Sequence, residues 1–118
     1  MTSAEISAKA HAILKKHWGY GTFRPMQLDI IESVMQGNDT LGLLPTGGGK
    51  SITFQVPALA SEGLTIVVTP LISLMKDQVD NLRQQGVMAG QLNNAMRHAE
   101  SELVLKRCQL GKIKILYL

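Results

Sequence analysis

Apolar positions change their spacing along this chain, and each change marks an element. In residues 2–18, Ile6, Ala10, Ile13, Leu14 and Trp18 recur at helical intervals, and Thr2 with Glu5 has the spacing of a capping box. Gly19-Tyr20-Gly21 breaks this helix. A second helix is predicted from Pro25, a favoured first-turn residue, to just before Gly37, with Leu28, Ile31, Val34 and Met35 as its stripe. Residues 41–44 read as a short apolar strand. Residues 52–60 suit a helix in which Pro57 sets a kink or an end. Residues 64–69 are apolar and β-branched with no polar alternation, the pattern of a strand buried on both faces. Pro70 ends that run. A helix over residues 71–85 then places Leu71, Leu74, Met75, Val79 and Leu82 on one side, and Gly86 closes it. A weak strand (87–92), a helix (about 95–110) and a final strand (113–118) follow. Strands alternating with helices predict an α/β fold built on a parallel sheet with right-handed crossovers.

The junction between the first predicted strand and its helix carries the clearest chemistry. It reads Leu43-Leu44-Pro45-Thr46-Gly47-Gly48-Gly49-Lys50-Ser51. Strand, glycine-rich loop and helix in that order are what a phosphate-binding P-loop requires. Glycines let successive backbone N–H groups turn inward around phosphate oxygens, and the helix amino terminus adds unpaired N–H groups with partial positive charge. Thr46, Gly47, Gly48, Gly49, Lys50 and Ser51 are therefore candidate nucleotide contacts. Lys50 is placed to reach the β- and γ-phosphates as the catalytic lysine, and the Ser51 hydroxyl to join a Mg²⁺ shell. One departure stands out: the strict pattern begins with glycine at position 44, where this chain has Leu44.

Composition narrows the class. A chain of 118 residues, 45% hydrophobic and 18% charged, holds at most one domain and has enough apolar residues for a core. No apolar run reaches the roughly 20 residues needed to span a bilayer. The single cysteine, Cys108, allows no internal disulfide, and with no secretory leader in view a cytoplasmic protein is expected. His11, His17 and His98 lack metal-type spacing. A net charge of +3 leans toward an anionic partner. Much of the excess lies late: Lys106, Arg107, Lys112 and Lys114 follow Leu103 with no acidic residue among them. A solvated helix face accounts for that run as well as a nucleic-acid patch does.

Two further segments narrow the P-loop class. Upstream stands Trp18-Gly19-Tyr20-Gly21-Thr22-Phe23-Arg24-Pro25-Met26-Gln27; downstream stands Val67-Val68-Thr69-Pro70-Leu71-Ile72-Ser73-Leu74-Met75-Lys76-Asp77-Gln78-Val79. With the P-loop between them, the chain from about Ile13 to Leu118 resembles the amino-terminal part of bacterial RecQ DNA helicases. The resemblance implies a RecA-like P-loop NTPase fold, ATP and Mg²⁺ as cofactors, and 3′-to-5′ unwinding of DNA in recombination and repair. It also implies roles. Tyr20 would stack on adenine while Arg24 and Gln27 hydrogen-bond its edge, and Ser73, Lys76 and Gln78 would contact single-stranded DNA. Trp18 stands where the family usually has phenylalanine, which keeps the aromatic bulk. Local alternatives stay open. Tyr20 and Phe23 would equally cap an apolar pocket, Gln27 would sit on a helix surface, and Lys76-Asp77 would be a solvated pair. Leu71, Leu74 and Met75 read as core.

An NTPase of this class needs an acidic pair at the end of an apolar strand, and no Asp-Glu dipeptide occurs in these residues. The resemblance therefore casts residues 1–118 as part of the first RecA-like domain, ending before the strand of the acidic, DEAH-type motif. Residues 1–37 form its helical adenine-recognition segment and 38–118 its P-loop α/β segment. The acidic motif and the second motor domain are its expected partners, with DNA and without a membrane. Alone, the chain is expected neither to hydrolyse ATP nor to unwind. A P-loop kinase or GTPase acting on a small molecule, or a non-catalytic interaction module, are the competing classes. The first leaves the upstream and downstream segments without a role. The second predicts weak nucleotide binding and exposed apolar surface.

Overall fold

The computed structural model describes residues 2–44 and 49–118. It resolves into two compact units, Met1–Glu62 and Gly63–Leu118. The division falls after the phosphate-loop helix, which thus belongs with the two helices before it.

The first unit packs three helices, α1 (Ser3–Trp18), α2 (Gln27–Met35) and α3 (Lys50–Ala60). Thr2 caps α1: its hydroxyl accepts from the Glu5 N–H at 3.2 Å and donates to Glu5 Oε1 at 3.1 Å. Two otherwise open ends are thereby closed on each other. At the other end Gly19 turns left-handed, φ 77°, and its N–H bonds the Leu14 and Lys15 carbonyls. Ile6, Ala10 and Leu14 are fully buried, one helical stripe. Ala10, Ile31 and Val56, one from each helix, form the centre of the core, with Ile13, Trp18, Phe23, Leu28, Met35 and Ile52 around them. Pro57 lies inside α3, yet the helix continues to Ala60, and the Pro57 carbonyl accepts from both the N–H and the hydroxyl of Ser61.

Helix α2 starts two residues later than Pro25 predicts. Met26 takes the left-handed conformation, φ 70°, the one described non-glycine residue with positive φ, and the helix begins only after it. Residues 41–44 form no strand either. A strand exists only where a ladder partner takes up its N–H and C=O groups, and no described strand pairs with this segment. Leu41 and Leu43 are 85% and 78% exposed.

The second unit alternates β1 (Thr65–Val67), α4 (Ile72–Gln84), β2 (Ala89–Gln91), α5 (His98–Gln109) and β3 (Ile115–Tyr117). All pairings are parallel in the order β1-β3-β2, with Ile115 opposite both Thr65 and Ala89. The last strand in sequence is thus the central one, and Ile115, Leu116 and Tyr117 are all buried. Flanking bonds extend the ladder: Thr69 N–H to the Leu118 carbonyl at 3.0 Å and Leu92 N–H to the Tyr117 carbonyl at 2.9 Å. Met75, Val79 and Leu82 bury one face of α4. Gly90 is tightly hemmed, since a Cβ there would stand 2.8 Å from Ile113 Cδ1.

Two burial expectations fail in this unit. Strand β1 is not covered on both faces: Ile66 and Val68 share a face and are 54% and 80% exposed. At the sheet's edge, its own unit covers only the other face. Leu71 and Leu74 are likewise exposed, so of the three leucine and methionine positions read as core only Met75 is core. Leu71 caps α4 from outside, and Leu74 falls off the Met75–Val79–Leu82 stripe. Helix α5 begins at His98 because Asn93 first closes a turn, its Oδ1 accepting from the Ala95 N–H at 2.9 Å. Cys108 is partly buried, and that burial pushes its thiol pKa up.

Ile115→Ala in the central strand is expected to cost about 2–5 kcal/mol in denaturant unfolding. Val68→Ala, on the open face, should stay within about 0.5 kcal/mol. Equal costs would contradict this division of buried and open positions.

Candidate nucleotide-binding site

The turn between α1 and α2 is where the sequence concentrates aromatic and polar groups, and the structure folds it over the start of α3. Gly19 ends α1, and left-handed Met26 re-aims the chain into α2. Between them lies a cavity of about 370 Å³ lined by Trp18, Tyr20, Arg24, Gln27, Gly49 and Ile52, with Leu14, Gly21 and Thr22 completing the wall. That volume is within the usual range for small-ligand sites. Tyr20 is 57% exposed and Arg24 is exposed along this cavity. Phe23 is held elsewhere: its ring meets the His11 imidazole edge-on at 4.9 Å, and His11 Nδ1 is 2.7 Å from the Ser7 carbonyl. Only the tyrosine of the two aromatics is offered to a ligand.

Gln27 is not on a helix surface. It is 2% exposed, and its amide bridges two segments. The Arg24 N–H donates to Oε1 at 2.7 Å, and Nε2 donates to the Gly49 carbonyl at 3.0 Å. One side chain therefore ties the upstream turn to the last glycine of the phosphate loop. The same contact explains the glycine. Gly49 has φ 76°, and a Cβ added to it would lie against Gln27 Nε2. This bridge is invisible in sequence. The pairing of a glutamine with a distant, obligatory glycine leaves no local periodic signal.

Gly49 is also the residue that precedes α3, and no side chain caps that helix. Its amino terminus presents backbone N–H groups and a partial charge of roughly half a unit. Lys50 is exposed in the first turn and Ser51 follows it, half-buried. An ammonium, a hydroxyl and an uncapped helix amino terminus beside a ring-sized cavity form a donor set that fits a nucleotide phosphate chain with its magnesium ion. Thr46, Gly47 and Gly48, the remaining predicted loop contacts, lie outside the described residues. Leu14, Gly21, Thr22 and Ile52 line the cavity without having been expected there. The glycine on each side of Tyr20 was the available hint.

In the second unit, Ser73 and Lys76 lie one turn apart on the exposed face of α4, next to its amino terminus. Lys76 Nζ stands 3.1 Å from Asp80 Oδ2, with both side chains largely solvated, so its pair is with Asp80 rather than Asp77. Exposed pairs of this spacing contribute about 0.3–0.5 kcal/mol, little enough for a phosphate to displace. Gln78 does not join them: it is half-buried and its Oε1 is out of solvent. His98 pairs with Glu102 at 2.9 Å. Among the described residues, no group of three or more His, Cys, Asp or Glu side chains could hold a metal ion, and no helix is long and apolar enough to cross a membrane.

A parallel α/β sheet, and a cavity beside the uncapped start of α3, suit a nucleotide-binding α/β protein. The sequence pattern of the DEAD/DEAH box helicase family matches residues 24–118, and the chain belongs to that family. It is 44% identical over 115 residues to the ATP-dependent DNA helicase RecQ of Pasteurella multocida, covering 96% of this chain and 18% of that protein. It is 47% identical over 105 residues to the RecQ of Synechocystis sp., covering 89% of this chain and 22% of that one. A probable ATP-dependent DNA helicase RecS of Bacillus subtilis is 40% identical over 111 residues, 93% of this chain and 22% of its own length. The chain spans about a fifth of the length of the curated relatives it matches.

Gln27→Ala should lower stability by about 1–3 kcal/mol by stripping a buried acceptor from the Arg24 N–H and a donor from the Gly49 carbonyl. Gly49→Ala should cost more in the wild-type background than beside Gln27→Ala, because the second change removes the group the new methyl strikes. A double-mutant cycle in urea should return a coupling of about 0.5–3 kcal/mol; a coupling of zero would show that the bridge does not hold the loop.

Proposed function

We propose that this chain is the nucleotide-binding part of a RecQ-type, ATP-dependent DNA helicase working in the 3′-to-5′ direction. The observation that carries this reading is the cavity that joins Tyr20, Arg24 and Gln27 to Gly49 and the uncapped start of α3. Tyr20 covers the face of adenine, Arg24 and Gln27 read its edge, and the ribose and phosphates run toward Lys50. Mg²⁺, when bound with ATP, neutralises charge on the β- and γ-phosphates. Lys50 supplies a point charge to the same oxygens, and Ser51 supplies a hydroxyl ligand.

Adenine recognition by Gln27 shares its amide with two existing contacts. The amide already serves Arg24 and Gly49, so a base that engages it polarises and orients the same group that holds the phosphate loop. Base and phosphate subsites are thereby coupled through one side chain. Ser73 and Lys76 contact the backbone of single-stranded DNA, with Lys76 exchanging Asp80 for a phosphate. The names of the relatives, each an ATP-dependent DNA helicase, support ATP and DNA as ligands here. With no Asp-Glu pair among its residues, the chain by itself binds nucleotide without turning it over.

Trp18, the single tryptophan, lines the cavity, so its fluorescence reports occupancy directly. Mg-ADP should quench it saturably and Mg-GDP should not. Lys50→Ala should weaken the ADP response about ten- to a hundredfold, the loss expected for one charge-assisted contact. Equal responses to ADP and GDP would rule out adenine recognition by this turn, and phosphate release above background in wild type but not in Lys50→Ala would refute the absence of turnover.

A further inference from the structure

The acid-free run at the end of the chain acquires a geometry in the second unit. Arg107, near the end of α5, and Lys112, in the turn after it, converge on Arg83 from the end of α4. Together with Gly86, Val87, Met88, Ala89 and Ile113 they line a cavity of about 440 Å³ at the amino-terminal ends of β2 and β3. No acidic side chain is among the lining residues. Elsewhere in this unit Lys76 and Arg97 are matched by Asp80 and Glu100, at 3.1 and 3.7 Å. Among the described residues, none of the three pocket cations stands in an ion pair with a carboxylate.

We propose that this pocket binds phosphates of a nucleic-acid strand, as a second contact separate from Ser73 and Lys76. Two of the three cations are arginines, whose planar fork suits phosphate oxygens. Arg83 is already oriented, because its Nε donates to the Ala89 carbonyl at 3.0 Å, which leaves the terminal N–H groups to face a ligand. Basic residues in a last helical turn also serve simply to offset the helix dipole. Two helix ends supply roughly half a negative charge each, against three full positive charges, so the pocket keeps an excess of about two. The end carbonyls are occupied as well: Gly86 N–H takes that of Arg83, and Lys112 N–H that of Arg107.

An extended polyanion is favoured over a free phosphate by alignment along α4. Lys76 and Arg83 are seven residues apart on one face of that helix, about 10 Å along its axis. Asp80 lies between them, half-exposed, and turns to solvent once Lys76 exchanges it for a phosphate. A strand held at Lys76 thus continues along α4 into the pocket. That continuity rests on the DNA contact proposed above; the pocket itself does not.

The test is binding of a fluorescein-labelled oligo(dT) of about 15 nucleotides to the protein, to Arg107→Gln/Lys112→Gln and to Lys76→Gln. Each is measured by anisotropy across a salt series, with amide shifts recorded by NMR on the wild type. Arg107 and Lys112 are exposed, so their replacement leaves the core intact. The double variant should bind more weakly, with a log–log salt slope shallower by about 0.7 per lost contact. The oligonucleotide should also move the Gly86, Val87 and Ile113 amides. Unchanged affinity and slope in the double variant, with those amides still, overturns the pocket, and a loss confined to Lys76→Gln then leaves the α4 contact standing. A loss confined to the double variant supports the pocket and removes the α4 contact. Inorganic phosphate alone moving those amides, when oligo(dT) does not, overturns the nucleic-acid occupant.

Discussion

One buried amide sets the geometry on which the nucleotide half-site depends. Gln27 accepts from Arg24 and donates to Gly49, so the turn after α1 and the residue that leads into α3 cannot move independently. Such a group is costly to bury unless both its ends are satisfied, and here they are. The requirement propagates outward. Gly49 must lack a side chain to admit the amide, and its left-handed backbone then launches α3 without a cap. The absence of a capping side chain leaves the helix amino terminus to serve an anion.

The second unit obeys a different constraint. Among the described residues its central strand is the last of the three, so β1 and β2 pair with Ile115, Leu116 and Tyr117 and not with each other. Each of the flanking strands depends on β3 and not on the other. The two helices of the unit divide their charge along their length. Lys76 apart, carboxylates Asp77, Asp80, Glu100 and Glu102 sit in the early and middle turns, while Arg83, Lys106 and Arg107 sit at the ends. That ordering follows the helix dipole, and it gathers positive charge at one end of the sheet.

Helices with strong caps were legible from the sequence. Thr2, Glu5 and Gly19 mark α1 at both ends, because capping is a contact between neighbours in sequence. The alternation of helix and strand was legible because hydrophobic spacing is local, and the parallel sheet followed from that alternation by the crossover rule. What was not legible depends on partners far along the chain. Residues 41–44 have the composition of a strand, but composition does not supply a ladder. Ile66, Val68, Leu71 and Leu74 have the composition of a core, but burial needs a covering layer, which nothing in 3-residue β1 or its neighbours specifies. At the site, Tyr20, Arg24 and Gln27 were named from their motif and do line one cavity. The burial of Gln27 and its grip on Gly49 came only from the fold, as did the separation of Phe23 from the cavity by its packing on His11.

Met26 shows where stability and activity pull against each other in this chain. Its left-handed backbone stores about 1–2 kcal/mol of strain, and glycine would release most of it. Glycine would also return conformational freedom, about 0.5–1 kcal/mol, to the unfolded chain, at the joint that fixes Arg24 and Gln27. A redesign for thermal tolerance would select this position early, since the side chain is exposed and the strain released exceeds the freedom returned. The cost would surface as a loosened turn around Arg24 and Gln27 rather than as a lower melting point, the usual signature of a trade-off between rigidity and function.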